Sequence, residues 1–98
     1  MTYGQTYGKV LVPLTLGGAL GLIHGWEYSN DENYPTCDVA NALRAYIGAT
    51  WNYEGYEAFL QRHPKNVGFI MALRLVLEEE VNSVLKRKER DRMQPRLF

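Results

Sequence analysis

The chain has 98 residues, enough for one small domain, and its 11 basic and 11 acidic side chains give a net charge of zero at pH 7. Zero net charge excludes a general electrostatic attraction to nucleic acid. A single cysteine, Cys37, excludes an internal disulfide, and no CxxC pair or cluster of His and Cys predicts a metal site.

The first predicted element is the apolar segment of residues 10–26. Val10 to Ile23 contains no charged side chain, and aromatic residues lie on both sides of this run. A helix from Tyr7 to Trp26 would rise about 28 Å, close to the ~30 Å hydrocarbon core of a bilayer. Aromatic and basic side chains are typical of the two membrane interfaces. We therefore predict one transmembrane helix within residues 1–28, with membrane-interface residues Tyr7, Lys9, His24, Trp26 and Tyr28.

Three glycines of this segment, Gly17, Gly21 and Gly25, recur at every fourth residue. On a helix this spacing puts them on one face, where helices in lipid can approach one another closely. Outside a membrane each glycine would weaken a helix by about 1 kcal/mol relative to alanine. We therefore predict that the three glycines pack against a neighbouring helix.

The alternatives for this segment are a buried helix or two short strands. A secretory signal peptide fits less well, because the residues before Lys9 are not basic.

Residues 29–98 are predicted to form a soluble helical region. Residues 27–37 are polar and rich in turn-forming residues, which predicts a loop. Apolar residues then recur at helical spacing over 38–51 and 53–63, and Pro64 ends the second helix. A long helix follows over 66–93, amphipathic at first and charged towards its end. The predicted fold class is therefore all-α, with one N-terminal transmembrane helix, amphipathic helices and a long charged C-terminal helix.

The long helix carries an apolar stripe that we predict to bind a partner. Its apolar part, Val67 to Leu77, contains Arg74 and is too short and too polar to span a bilayer. The predicted partner-binding residues are Val67, Ile70, Met71, Arg74, Leu77 and Val81.

No arrangement of residues predicts catalysis. His24 and His63 have no second ligand at metal-binding spacing. Glu78, Glu79 and Glu80 are consecutive, so on a helix their side chains diverge. Nucleophile elbow, phosphate loop, dinucleotide fingerprint and zinc-protease motif are all missing. We predict that the chain is not an enzyme and holds no metal or cofactor.

A glycine-bearing apolar segment followed by a charged helix resembles small accessory subunits of mitochondrial inner-membrane complexes. The segment ALGLIHGWEYSND, residues 19–31, is similar to subunit e of the mitochondrial F-type ATP synthase, with Gly21 and Gly25 at the glycines of its motif. The charged run EEEVNSVLKRKERDR resembles the C-terminal helix of that family in character. In that family the glycine-rich span packs against subunit g, near the interface between ATP synthase monomers.

The resemblance implies a non-catalytic structural subunit of a mitochondrial inner-membrane energy-converting complex, either ATP synthase or the respiratory chain. The implied partners are other subunits and membrane lipids, among them cardiolipin, and not nucleic acid. Lys9 is the only charge before the apolar run, which favours an N-terminus in the matrix and the bulk of the chain in the intermembrane space. The alternatives are a soluble helical protein-interaction module and a small subunit that binds RNA through its basic C-terminal helix.

Overall fold

Two short strands and four helices make up the computed structural model, which describes residues 6–29 and 34–93, with side chains up to residue 87. The elements are β1 (Thr6–Tyr7), β2 (Val10–Leu11), α1 (Leu16–Tyr28), α2 (Thr36–Thr50), α3 (Tyr53–Arg62) and α4 (Asn66–Met93). The strands pair in antiparallel fashion, Thr6 opposite Leu11 and Tyr7 opposite Val10. The helices α1, α2 and α4 pack against one another, the hairpin lies on α2, and α3 packs against α2.

The predicted transmembrane helix is wrong. The uncharged run is divided between β2, an extended segment that contains Pro13, and α1. Thr15 caps α1 by accepting a hydrogen bond from the Gly18 amide at 3.0 Å, so the helix begins only at Leu16. Its 13 residues rise about 20 Å, well short of a ~30 Å hydrocarbon core. Across residues 6–29 and 34–93, no helix combines the length and the apolar character that crossing a membrane requires.

The turn of the hairpin explains why the chain reverses before β2. Gly8 has a φ of +62°, a conformation that residues with a Cβ rarely adopt. A Cβ at this position would lie 2.2 Å from a carboxylate oxygen of Asp38 on α2. Gly8 therefore allows both the tight turn and the close seating of the hairpin on α2.

The core lies between α1, α2 and α4. Its fully buried side chains are apolar, and no polar or charged residue is buried among those that the structure describes. Two of the core positions on α2, Ala40 and Ala42, are small and have no exposed surface, which allows the neighbouring elements to approach. The larger core residues are Val10, Ile23, Val39, Leu43, Tyr46, Ile47, Phe59, Phe69, Ile70, Leu73 and Leu77.

The later helices agree with the sequence pattern to within two residues. The second helix begins at Thr36, after Pro35, rather than at Asp38. Asn52 starts α3 by accepting a hydrogen bond from the Gly55 amide at 2.7 Å. The long helix spans Asn66–Met93 as predicted.

Candidate functional site

The long helix α4 exposes large apolar side chains on the side away from the core. Val67, Met71 and Leu75 are 53%, 41% and 68% exposed, although residues on the opposite side of α4 are fully buried. Their spacing of four residues places them in one row along the helix surface. We call Val67, Met71 and Leu75 the outer stripe. Next to it, a Cβ at Gly68 would meet no atom within 4 Å, so this part of the surface is open.

The predicted partner-binding residues fall on two different sides of α4. Val67 and Met71 belong to the outer stripe, but Ile70 and Leu77 have no exposed surface and form part of the chain's own core. Arg74 and Val81 are partly buried. Leu75 was missed, although its position four residues after Met71 was a signal for it. The predicted stripe therefore extends from the core-facing side of α4 to the outer stripe.

A polar cluster joins α1 to α4 beside the outer stripe. The guanidinium of Arg74 donates hydrogen bonds to the carboxylates of Glu27 on α1 and of Glu78, the latter at 3.2 Å. His24 Nδ1 lies 3.5 Å from Glu27 Oε1. The hydrogen bond to Glu78, followed by the charges of Glu27 and Glu78, raises the pKa of Arg74 above its ordinary value. Arg74 is therefore a permanent cation that holds the C-terminal end of α1 on α4.

The predicted membrane-interface residues take part in the fold in different ways. Trp26 is partly buried and donates from Nε1 to Thr36 Oγ1 at 3.0 Å, so it links α1 to α2. Tyr7 packs on the core from β1, whereas Lys9 is exposed in the hairpin turn. Tyr28, at the end of α1, is 88% exposed. His24, the fifth of these residues, belongs to the Arg74 cluster. The five residues therefore do not lie at the two ends of one helix.

The three predicted packing glycines are in two different environments. Gly17 and Gly21 are exposed, and a Cβ at either position would meet no atom within 4 Å. At Gly25 a Cβ would lie 2.9 Å from Cζ of Tyr34, so the ring of Tyr34 occupies the space that this glycine leaves. Gly25 therefore makes room for a contact within the chain, whereas Gly17 and Gly21 face open space.

Aromatic rings near the start of α4 pack on each other and on a cation. Phe59 lies 5.2 Å from Trp51 and 5.6 Å from Phe69, both as edge-to-face pairs between ring centroids. The guanidinium of Arg44 lies 4.8 Å from the centre of the Phe69 ring and donates to Asn66 at 2.9 Å. These contacts fix the position of α4 relative to α2 and α3, and so the orientation of the outer stripe.

The remaining residues that could take part in metal binding or catalysis do not come together at one site in the part of the chain that the structure describes. Within residues 6–29 and 34–93, no group of three or more His, Cys, Asp or Glu side chains could hold a metal ion. Cys37 is exposed, and its sulfur accepts a hydrogen bond from Asn41 at 3.7 Å. The ring of His63 lies 4.7 Å from that of Phe59.

No family model, curated protein or solved structure matches this chain. The resemblance to subunit e therefore rests on residues 19–31 and on the character of the charged helix, and it stays a prediction.

Proposed function

We propose that this chain is a non-catalytic protein-interaction module, and that the outer stripe of α4 binds an amphipathic helix of another protein. The observation that carries the proposal is the exposure of Val67, Met71 and Leu75 in one row on a helix whose opposite side builds the core. Apolar rows of this spacing are the usual contact in helix-in-groove recognition. A row that the fold orients rigidly but leaves uncovered is best explained by a contact with another protein.

The surroundings of the outer stripe indicate the chemistry of the partner helix. Gly68 leaves open space beside Val67, which allows the partner backbone or a large side chain to come close. At the other end of the stripe, Glu79 is exposed and has no ion pair among the described residues. Glu78 is already held by Arg74. We therefore expect apolar residues at positions i, i+4 and i+7 or i+8 of the partner helix, with a basic residue where it passes Glu79.

The proposal is tested by placing a photoreactive amino acid at position 75 and mapping the cross-linked peptides from the native source by mass spectrometry. A second probe at Ala58, which is exposed on α3, is the positional control. The expected result is a cross-link from position 75 to one amphipathic helix. It should disappear when Met71→Asp is added and persist when Leu11→Asp is added, because Leu11 is exposed on the hairpin instead. Equal labelling from positions 58 and 75, or a cross-link that survives Met71→Asp, would contradict the proposal.

We propose more narrowly that this chain is an accessory subunit of a mitochondrial inner-membrane complex. It is supported by the resemblance of residues 19–31 and by the uncharged exposed side of α1, which carries Gly17, Gly21 and Tyr28. Fractionation of mitochondria from the native source, followed by native gel electrophoresis, tests it. The chain should migrate with a large membrane complex, and its absence from the mitochondrial fraction would contradict this narrower proposal alone.

A further inference from the structure

The helix α4 itself has the features that the proposed function expects of a partner helix. Its exposed apolar residues Val67, Met71 and Leu75 are spaced at i, i+4 and i+8. Lys65 directly precedes α4 and is exposed, and its carbonyl accepts a hydrogen bond from the Phe69 amide at 2.8 Å, so it continues the helical register. A second copy of the chain therefore offers both an apolar row and a basic residue to the outer stripe.

A protruding side chain and an open position lie two turns apart on the outer side of α4. Leu75 is 68% exposed, whereas a Cβ at Gly68 would meet no atom within 4 Å. They are seven residues apart, close to two helical turns, so they lie on the same side of the helix. In an antiparallel pair of helices, a residue before the midpoint faces the residue equally far after it. With the midpoint between Met71 and Ala72, Leu75 of one copy therefore meets the open position at Gly68 of the other.

Lys65 and Glu79 are arranged in the same way about this midpoint. They are 14 residues apart, about four turns, so they also lie on one side of the helix. Both are exposed, and neither takes part in an ion pair among the side chains that the structure describes. The sequence has no acidic residue three or four positions from Lys65 and no basic residue at those distances from Glu79, so neither charge has a partner within the helix.

We propose that the outer stripe binds a second copy of this chain in an antiparallel arrangement, with a two-fold axis at the midpoint between Met71 and Ala72. Lys65 of each copy then pairs with Glu79 of the other, and the two-fold axis makes this contact occur twice. A parallel copy would instead place like charges side by side.

This self-association deepens the proposed function, and it rests on that proposal for the role of the outer stripe as a contact surface. The contact from Lys65 to Glu79 extends about 21 Å along the helix. An interface of this length is small, so the association is weak and depends on protein concentration. Because both uses cover the same residues, a partner helix has to displace the second copy before it can bind.

The experiment uses Lys65→Glu and Glu79→Lys in the full chain, each alone, mixed in equal amounts, and combined in one chain. Sedimentation velocity from about 1 µM to about 1 mM covers the Kd range of weak interfaces. The unchanged chain should dimerise in this range. Each single variant should dimerise at least about tenfold more weakly, because like charges then face each other. The mixture and the double variant should regain the dimer, since position 65 of each copy again faces an opposite charge at position 79.

Two matched controls change an exposed charge elsewhere. Lys9→Glu in the hairpin turn and Glu54→Lys on α3 make the same changes in net charge and should leave dimerisation unchanged. Circular dichroism checks that each variant keeps its helix content. The inference is overturned if the unchanged chain is monomeric throughout the range. It is also overturned if the double variant and the mixture stay as weak as the single variants, or if the controls weaken the dimer as much.

The cross-linking experiment from position 75 separates this inference from the proposed function. A chain that is monomeric but cross-links to a helix of another protein overturns the inference and supports the proposed function. A chain that dimerises, and whose position 75 cross-links only to the segment around Gly68 of a second copy, supports the inference and contradicts the proposed function.

Discussion

Arg74 on α4 and Glu27 on α1, 47 residues apart in the sequence, form an ion pair that joins the two helices. Arg74 also holds Glu78 one turn further along α4, so a single cation organises two carboxylates. The pair lies between the core and the outer stripe. It explains why a basic residue stands in the middle of the apolar first half of α4.

The first prediction concerns this pair. Replacing Arg74 with Met should lower the melting temperature by a few degrees, because Glu27 and Glu78 then lose their common cation. Arg62→Met, at an exposed position at the end of α3, is the matched control and should have a smaller effect. A double-mutant cycle with Glu27→Gln isolates the contact, and purely additive effects would show that the two residues do not interact.

The second prediction separates the glycines of α1 by their surroundings. Gly21→Ala should stabilise the fold by roughly 0.5–1 kcal/mol, since the position is helical and the added Cβ meets open space. Gly25→Ala should destabilise it by roughly 1–3 kcal/mol, because its Cβ would lie 2.9 Å from the ring of Tyr34. Urea denaturation of the two variants measures both changes. If both substitutions stabilise the chain to the same extent, Tyr34 does not pack on α1 as described.

The third prediction compares two leucines that lie two residues apart on α4. Leu73 has no exposed surface and Leu75 is 68% exposed. Leu73→Ala should lower the free energy of unfolding by roughly 2–5 kcal/mol, through lost burial and the cavity left behind. Leu75→Ala should change it by no more than about 0.5 kcal/mol. A large loss of stability with Leu75→Ala would mean that this side chain is covered, and the outer stripe would not be available to a partner.

The fourth prediction concerns alkaline pH. Burial, followed by the negative charge of Glu80, raises the pKa of Tyr46 above its ordinary value of 10.0. The folded state therefore keeps the proton longer than the unfolded state, and this contribution to stability is fully present below pH 10. It is lost as the pH rises from 10 towards the raised pKa. The fall in the free energy of unfolding above pH 10 should be smaller in Tyr46→Phe, and an unchanged pH profile would contradict the assignment.

Much of the second part of the fold could be predicted from local signals. Asn52 and Pro64 mark helix boundaries, and the spacing of apolar residues in α2, α3 and α4 follows the helical period. These signals act over a few residues, and tertiary packing did not override them. The boundaries were therefore correct to within two residues.

The first part of the fold could not be predicted from hydropathy, because hydropathy does not detect a change of backbone conformation within an uncharged run. The run reads as continuous, yet Gly8 turns the chain, Pro13 lies in an extended segment and Thr15 caps α1. Thr15 after Pro13 was a local signal for a helix that starts late.

Only two residues of the outer stripe, Val67 and Met71, were predicted, and the reason differs from that for the first part of the fold. Apolar residues cover more than one side of α4, and the sequence does not say which side meets α1 and α2. In the structure Ile70 and Leu77 are inside and Leu75 is outside, and Arg74 pairs with Glu27 at the edge between these two sides. A contact between residues 47 positions apart is not visible in the periodicity of one helix.

The most direct test of the proposed function is cross-linking from position 75 in the native source, with and without Met71→Asp. The proposed function predicts one partner helix with apolar residues at helical spacing and a basic residue near Glu79, captured from position 75 and lost with the Met71 variant. Labelling from position 75 that matches labelling from Ala58, or that is insensitive to Met71→Asp, would contradict the proposal that the outer stripe binds a partner.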